Sequence, residues 1–237
     1  MGEQRQLTAT DGFTFGAYEA RPVGTAKGGV VVIQEIFGVN HHIRSVADEY
    51  AAAGYVAIAP QIFDRAERNV ELGYTDQAEF DKGIRLAFSD LKMEQTLLDL
   101  QATVTALSEH GRVGVVGYCF GGLLTWLSCC ELEGVAAGSA YYGGGIAGQA
   151  DRQARCPVMM HFGEHDKHIP MTDVETVRKA QPDVQIFVYD ADHGFNCSER
   201  PVFDQPSAAT ARERTLAFFE KHLVDVDGDD ATTVIRG

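Results

Sequence analysis

GVVGYCFGG, residues 114–122, joins two apolar runs of different period. The run before it is short and β-branched and predicts a buried strand over 113–117. The run after it, LLTWLSCC, has helical spacing and predicts a helix from 120. The junction, Gly117-Tyr118-Cys119-Phe120-Gly121, is a G-x-C-x-G turn. Glycines on either side let strand and helix pack closely around a sharp bend that thrusts the Cys119 thiol outward. The helix start aims N–H groups and partial positive charge at the same spot, which favours a thiolate and a developing oxyanion alike.

Around this junction strand and helix alternate along the chain. Residues 13–19 alternate like an edge strand, and 28–35 form a β-branched run suited to a central one. Asn40 caps a helix that Gly54 ends, 55–60 is a strand, and 61–75 is a long loop. Helical spacing returns over 76–90 and 93–109. Strands follow at VAAGSAYYG, PVMMHFGE and VQIFVYDADH, with helices over 171–181 and 207–222. This alternation predicts an α/β fold with a mostly parallel, doubly wound sheet and helices on both faces. Residues 1–222 are expected to form one domain, and 223–237 an acidic, disordered tail.

Ligands of such sheets lie beyond the carboxyl ends of the strands. Cys119, Asp166, His193 and Glu35 all fall there. A histidine within reach of a thiol takes its proton and returns it to a leaving group, and a carboxylate behind the histidine fixes its tautomer. The formal net charge of -14 argues against nucleic acid as a partner. No apolar run is long enough for a membrane span, and MGEQRQLTATDGF lacks the apolar core of a signal peptide, so a cytoplasmic protein is expected. The odd set Cys119, Cys129, Cys130, Cys156 and Cys197 suits reduced thiols, with Cys129 and Cys130 in the core. His41, His42, His161, His165 and His168 match no zinc-binding spacing, so neither metal nor organic cofactor is expected.

QEIFGVN (34–40), GYCFGG (117–122), YYGGG (141–145), the Asp166 loop and DHGF (192–195) together resemble the dienelactone hydrolase family. The resemblance runs over essentially the whole chain. It implies the α/β-hydrolase fold, a cytoplasmic monomer or weak dimer, no cofactor, and hydrolysis of small esters or lactones. It makes Cys119 the nucleophile, Asp166 and His193 the rest of a triad in the family's chain order, and Glu35 a carboxylate near the thiol. The backbone amides of Ile36 and Phe120 would form the oxyanion hole, and Phe88, Tyr142 and Asn196 would touch substrate. One departure stands out. The family's arginines for an anionic lactone have no counterpart in register. Asn196 and Cys197 stand where one belongs, with Arg200 three residues late, and Asp81 stands near the other, with Lys82 and Arg85 nearby. Small neutral esters or lactones are therefore expected as substrates. Two other readings use the same residues. One is a thiol redox or sensing protein acting through Cys119, with Cys197 as its resolving thiol. The other is a non-catalytic binding module on the same fold.

Overall fold

The computed structural model describes residues 2–224; of the expected acidic tail, 223–237, residues 225–237 lie outside the described residues, whereas Leu223 is buried. Eight strands form one sheet: β1 (Glu3–Thr8), β2 (Thr14–Ala20), β3 (Gly29–Ile33), β4 (Val56–Pro60), β5 (Val113–Tyr118), β6 (Val135–Tyr141), β7 (Val158–Gly163) and β8 (Gln185–Tyr189). Their order across the sheet is β1-β2-β4-β3-β5-β6-β7-β8. The β1–β2 and β2–β4 pairs are antiparallel, and every pair from β4 to β8 is parallel. Val30, Val31, Val32 and Ile33 of β3 are fully buried, as are nearly all the side chains of β5. Both faces of these strands are covered, which is why they read as unbroken apolar runs.

The helices are α1 (His41–Ala52), α2 (Gln77–Arg85), α3 (Met93–Leu107), α4 (Phe120–Glu131), α5 (Met171–Ala180) and α6 (Gln205–Leu223). Asn40 caps α1 by accepting from the Ile43 N–H, and Asp204 caps α6 by accepting from the Ser207 N–H. Helices α1 and α6 meet through Tyr50 and Phe219, whereas α3 packs beside α4. The two pairs cover opposite faces of the sheet.

Three expectations need correction. Residues 13–19 predict an edge strand, yet β2 is second in the sheet. The edge is β1, EQRQLT, in which Leu7 alone is buried, so it carries no apolar period to read. Its place is set by pairing across the Thr8–Thr14 turn, where the Ala9 N–H donates to the Phe13 carbonyl. The helical spacing over 76–90 is not one α-helix either. Helix α2 stops at Arg85 and widens into a π-turn over Leu86–Asp90. That turn leaves Phe88 59% exposed. Helix α6 starts two residues before 207, because Pro206 is compatible with a first helical turn.

Candidate active site

Five neighbouring strands (β3, β5, β6, β7 and β8) converge at their carboxyl ends on the expected residues. Cys119 follows β5 with φ 56° and ψ -114°, a conformation that an L-residue holds only when its surroundings over-determine it. Here the constraint is mutual contact. A side chain at Gly117 would collide with the Gly121 carbonyl, and one at Gly121 would collide with the carbonyls of Ile33 and Gln34. The Cys119 N–H donates to the Tyr141 carbonyl at 3.0 Å, which fixes the turn to β6.

The thiol sits 3.1 Å from His193 Nε2, and His193 Nδ1 lies 2.6 Å from Asp166 Oδ2. The other Asp166 oxygen accepts from the backbone N–H groups of His168 and Ile169 at 2.8 and 3.1 Å. Asp166 is therefore buried with both oxygens satisfied, as a buried carboxylate requires. Burial disfavours the His193 imidazolium. Against it act the Cys119 thiolate charge and the hydrogen bonds to Asp166 and Cys119, which together hold His193 up at about 10.

Beside this pair opens a cavity of about 310 Å³. Its walls are chiefly apolar: Ile36, Phe37, Phe80, Ile84, Phe88, Phe120 and Leu123. Phe80, Ile84 and Phe88 recur every four residues along α2 and its π-turn, so that segment roofs the cavity. Phe88 is among the residues that line the cavity. Tyr142 and Asn196 are not among the lining residues. Tyr142 is fully buried and its ring packs 5.1 Å from that of His193. It follows the last residue of β6 and has a positive φ of 35°.

Arg200 does line the cavity. Its guanidinium lies over the Phe37 ring at 5.9 Å, and Nη1 is 3.9 Å from Glu35 Oε1. Three residues late in sequence is not late in space. The Cys197 N–H donates to the Gly194 carbonyl and the Arg200 N–H to the Cys197 carbonyl, so two successive turns fold Arg200 back over Gly194. Arg85 pairs with Asp90 on the surface and is absent from the lining.

Glu35 is fully buried after β3, and its Oε2 accepts from the Tyr74 hydroxyl at 3.3 Å. Cys197 is also fully buried. Burial first, then the Glu35 charge, pushes its thiol up to about 12, which makes it a poor resolving thiol. His42 lies within reach of both, a proximity that sequence spacing conceals. The Glu35, His42 and Cys197 ligand atoms fall within 4.8 Å of one another. No helix among the described residues is long and apolar enough to cross a membrane.

Residues 15–223 match the family model of the dienelactone hydrolase family. The chain is 37% identical over 227 residues to a candidate carboxymethylenebutenolidase of Synechocystis sp., covering 87% of this chain and 91% of that protein. It is 30% identical over 235 residues to the carboxymethylenebutenolidase of Pseudomonas sp., covering 93% and 96%. Among solved structures, a candidate dienelactone hydrolase from Klebsiella pneumoniae matches at a TM-score of 0.81 and 30% identity, over 94% of this chain and all of that one. The chain belongs to the dienelactone hydrolase family, and with it to the ester- and lactone-cleaving hydrolases of the α/β-hydrolase fold.

Proposed function

We propose that the protein cleaves small, largely apolar esters or lactones through a thioester on Cys119, with His193 and Asp166 completing a triad. The observation that carries this reading is the unbroken hydrogen-bond chain from Cys119 Sγ through His193 to Asp166, with its far end anchored on backbone N–H groups. The Cys119 thiolate attacks the substrate carbonyl carbon. The carbonyl oxygen becomes an oxyanion, held by the N–H groups of Ile36 and Phe120. Phe120 is the first residue of α4, so its N–H has no intrahelical acceptor. The tetrahedral adduct collapses, and the leaving alkoxide takes the proton from His193 Nε2. The now neutral imidazole removes a proton from water, the hydroxide attacks the thioester, and the carboxylic acid leaves as the thiolate–imidazolium pair returns. Glu35 assists from beneath. As a second buried carboxylate of the site, it offers an alternative first acceptor for the thiol proton, which must reach His193 before the alkoxide leaves.

Substrate charge follows from the walls. A carboxylate entering the cavity leaves water and meets one guanidinium, which already faces Glu35. A single, shared partner compensates poorly for that desolvation. Neutral esters are therefore preferred. The thiol redox reading loses support from Cys197, whose burial denies it the role of resolving partner.

The test is a panel of p-nitrophenyl esters and small lactones, each lactone offered as free carboxylate and as methyl ester. Turnover by the wild type and none by Cys119→Ala is expected, with the methyl esters ahead in kcat/KM by up to about tenfold. Hydrolysis that survives Cys119→Ala would overturn the nucleophile. A preference for the carboxylate that Arg200→Ala removes would overturn the substrate assignment.

A further inference from the structure

Beside the triad lies a group of buried side chains that the thioester chemistry leaves unbalanced. His42, the second residue of α1, has both ring nitrogens buried with no hydrogen-bond partner. Glu35 Oε1 is buried in the same state. Cys197 Sγ completes the set, and all three residues are at most 3% exposed. Buried polar atoms are normally paired, and an imidazole that forgoes both of its hydrogen bonds is unusual.

We propose that Glu35, His42 and Cys197 form a binding site for a divalent transition-metal ion of the zinc type. The donor set selects the ion. One thiolate, one imidazole and one carboxylate suit a borderline ion in a small, four-coordinate shell. Magnesium and calcium, which demand all-oxygen shells, are excluded by it. Charge also balances. The ion replaces the Cys197 thiol proton, which leaves to solvent, and thiolate plus carboxylate neutralise the two positive charges. The buried complex is then neutral, which limits its desolvation cost. The Tyr74 hydroxyl, already 3.3 Å from Glu35 Oε2, stands next to the remaining position. Arg200 lines the cavity and meets Glu35 only at 3.9 Å, so it can turn outward as the ion takes its place.

The three ligands come from different parts of the chain: the end of β3, the start of α1, and the turns after His193. An ion there clamps these segments together and holds Glu35 away from the thiol. The site is thus inhibitory, and the hydrolysis does not depend on it.

The test uses the full-length Cys119→Ala protein, so that the active-site thiol cannot answer for Cys197. Cobalt(II) titration is expected to give one bound equivalent, a thiolate-to-cobalt charge-transfer band in the near ultraviolet and visible bands of tetrahedral intensity, all bleached by zinc. The charge-transfer band disappears in Cys119→Ala/Cys197→Ser, and affinity falls at least tenfold in Cys119→Ala/His42→Gln. Zinc raises the melting temperature of Cys119→Ala and leaves that of the Cys197→Ser double variant unchanged, which guards against a folding artefact. No charge-transfer band at millimolar cobalt, or a band that survives Cys197→Ser, overturns the site. Because no readout requires turnover, this outcome is separate from the fate of the thioester reading.

Discussion

His161 and His193 are two largely buried histidines at neighbouring strands of one sheet, and they are poised in opposite senses. His161, within β7, has only neutral partners: the Tyr189 hydroxyl at 2.8 Å and the Thr215 hydroxyl at 3.1 Å. Burial, helped by the Arg214 charge, drives it down to about 3, so it stays an uncharged hydrogen-bonding strut between the sheet and α6. His193 suffers burial as well, yet the Cys119 thiolate and Asp166 lift it to about 10. Burial is common to both. The charge of the partners decides which imidazole carries a proton, and only the one beside the cavity does.

The largest expected effect separates the two by activity. His193→Ala should lower kcat/KM by about 10³- to 10⁴-fold while the protein stays folded, because in the proposed mechanism this residue moves the proton. Asp166→Asn should cost less, since an amide oxygen can still accept from the Nδ1 N–H but brings no charge. Equal losses would mean that the carboxylate does more than orient and support. His161→Gln is the mirror case. It should leave kcat/KM within a few-fold of wild type and lower unfolding free energy by about 1–3 kcal/mol, because Tyr189 and Thr215 lose a well-placed buried partner. Chemical denaturation checks the second value, and a collapse of activity without loss of stability would put His161 in the site.

The smallest effect is the sign of the pH dependence. His161 is held below its unfolded value of about 6.5, so its neutral form stabilises the fold above that pH, and the contribution is lost as pH falls below it. His193 is held above its unfolded value, so its contribution is full below about 6.5 and is lost as pH rises toward 10. Melts of wild type, His161→Gln and Asp166→Asn should show this crossing. The first variant flattens the acid side, and the second flattens the alkaline side. In the proposed mechanism, the raised His193 should put the alkaline limb of kcat/KM above neutrality.

Much of this was legible in the chain. The turn at Gly117–Gly121 demands small residues at fixed positions, so strand, bend and helix are all written locally. Asp166 and His193 were legible because parallel strands put their carboxyl ends side by side. What escaped was whatever depends on contacts distant in sequence. β1 is polar and is held by its partner. Arg200 reaches the cavity through consecutive turns that its spacing from His193 does not reveal. Tyr142 reads as a lining aromatic, but it is fully buried, with its ring packed against that of His193. His42 and Cys197 are far apart in the chain, and only the fold brings them to within 4.8 Å of each other and of Glu35.

The central claim is a covalent intermediate, and mass spectrometry of the intact protein reads it directly. Wild-type protein is mixed with a slowly released p-nitrophenyl ester and quenched in acid within the burst. The account predicts a mass increase of one acyl group, located by digestion to the peptide that contains Cys119 and labile to hydroxylamine as a thioester is. It also predicts that Asp166→Asn accumulates the same adduct more slowly. A full burst of product with no acyl group on the protein, or an acyl group on any residue other than Cys119, would contradict it.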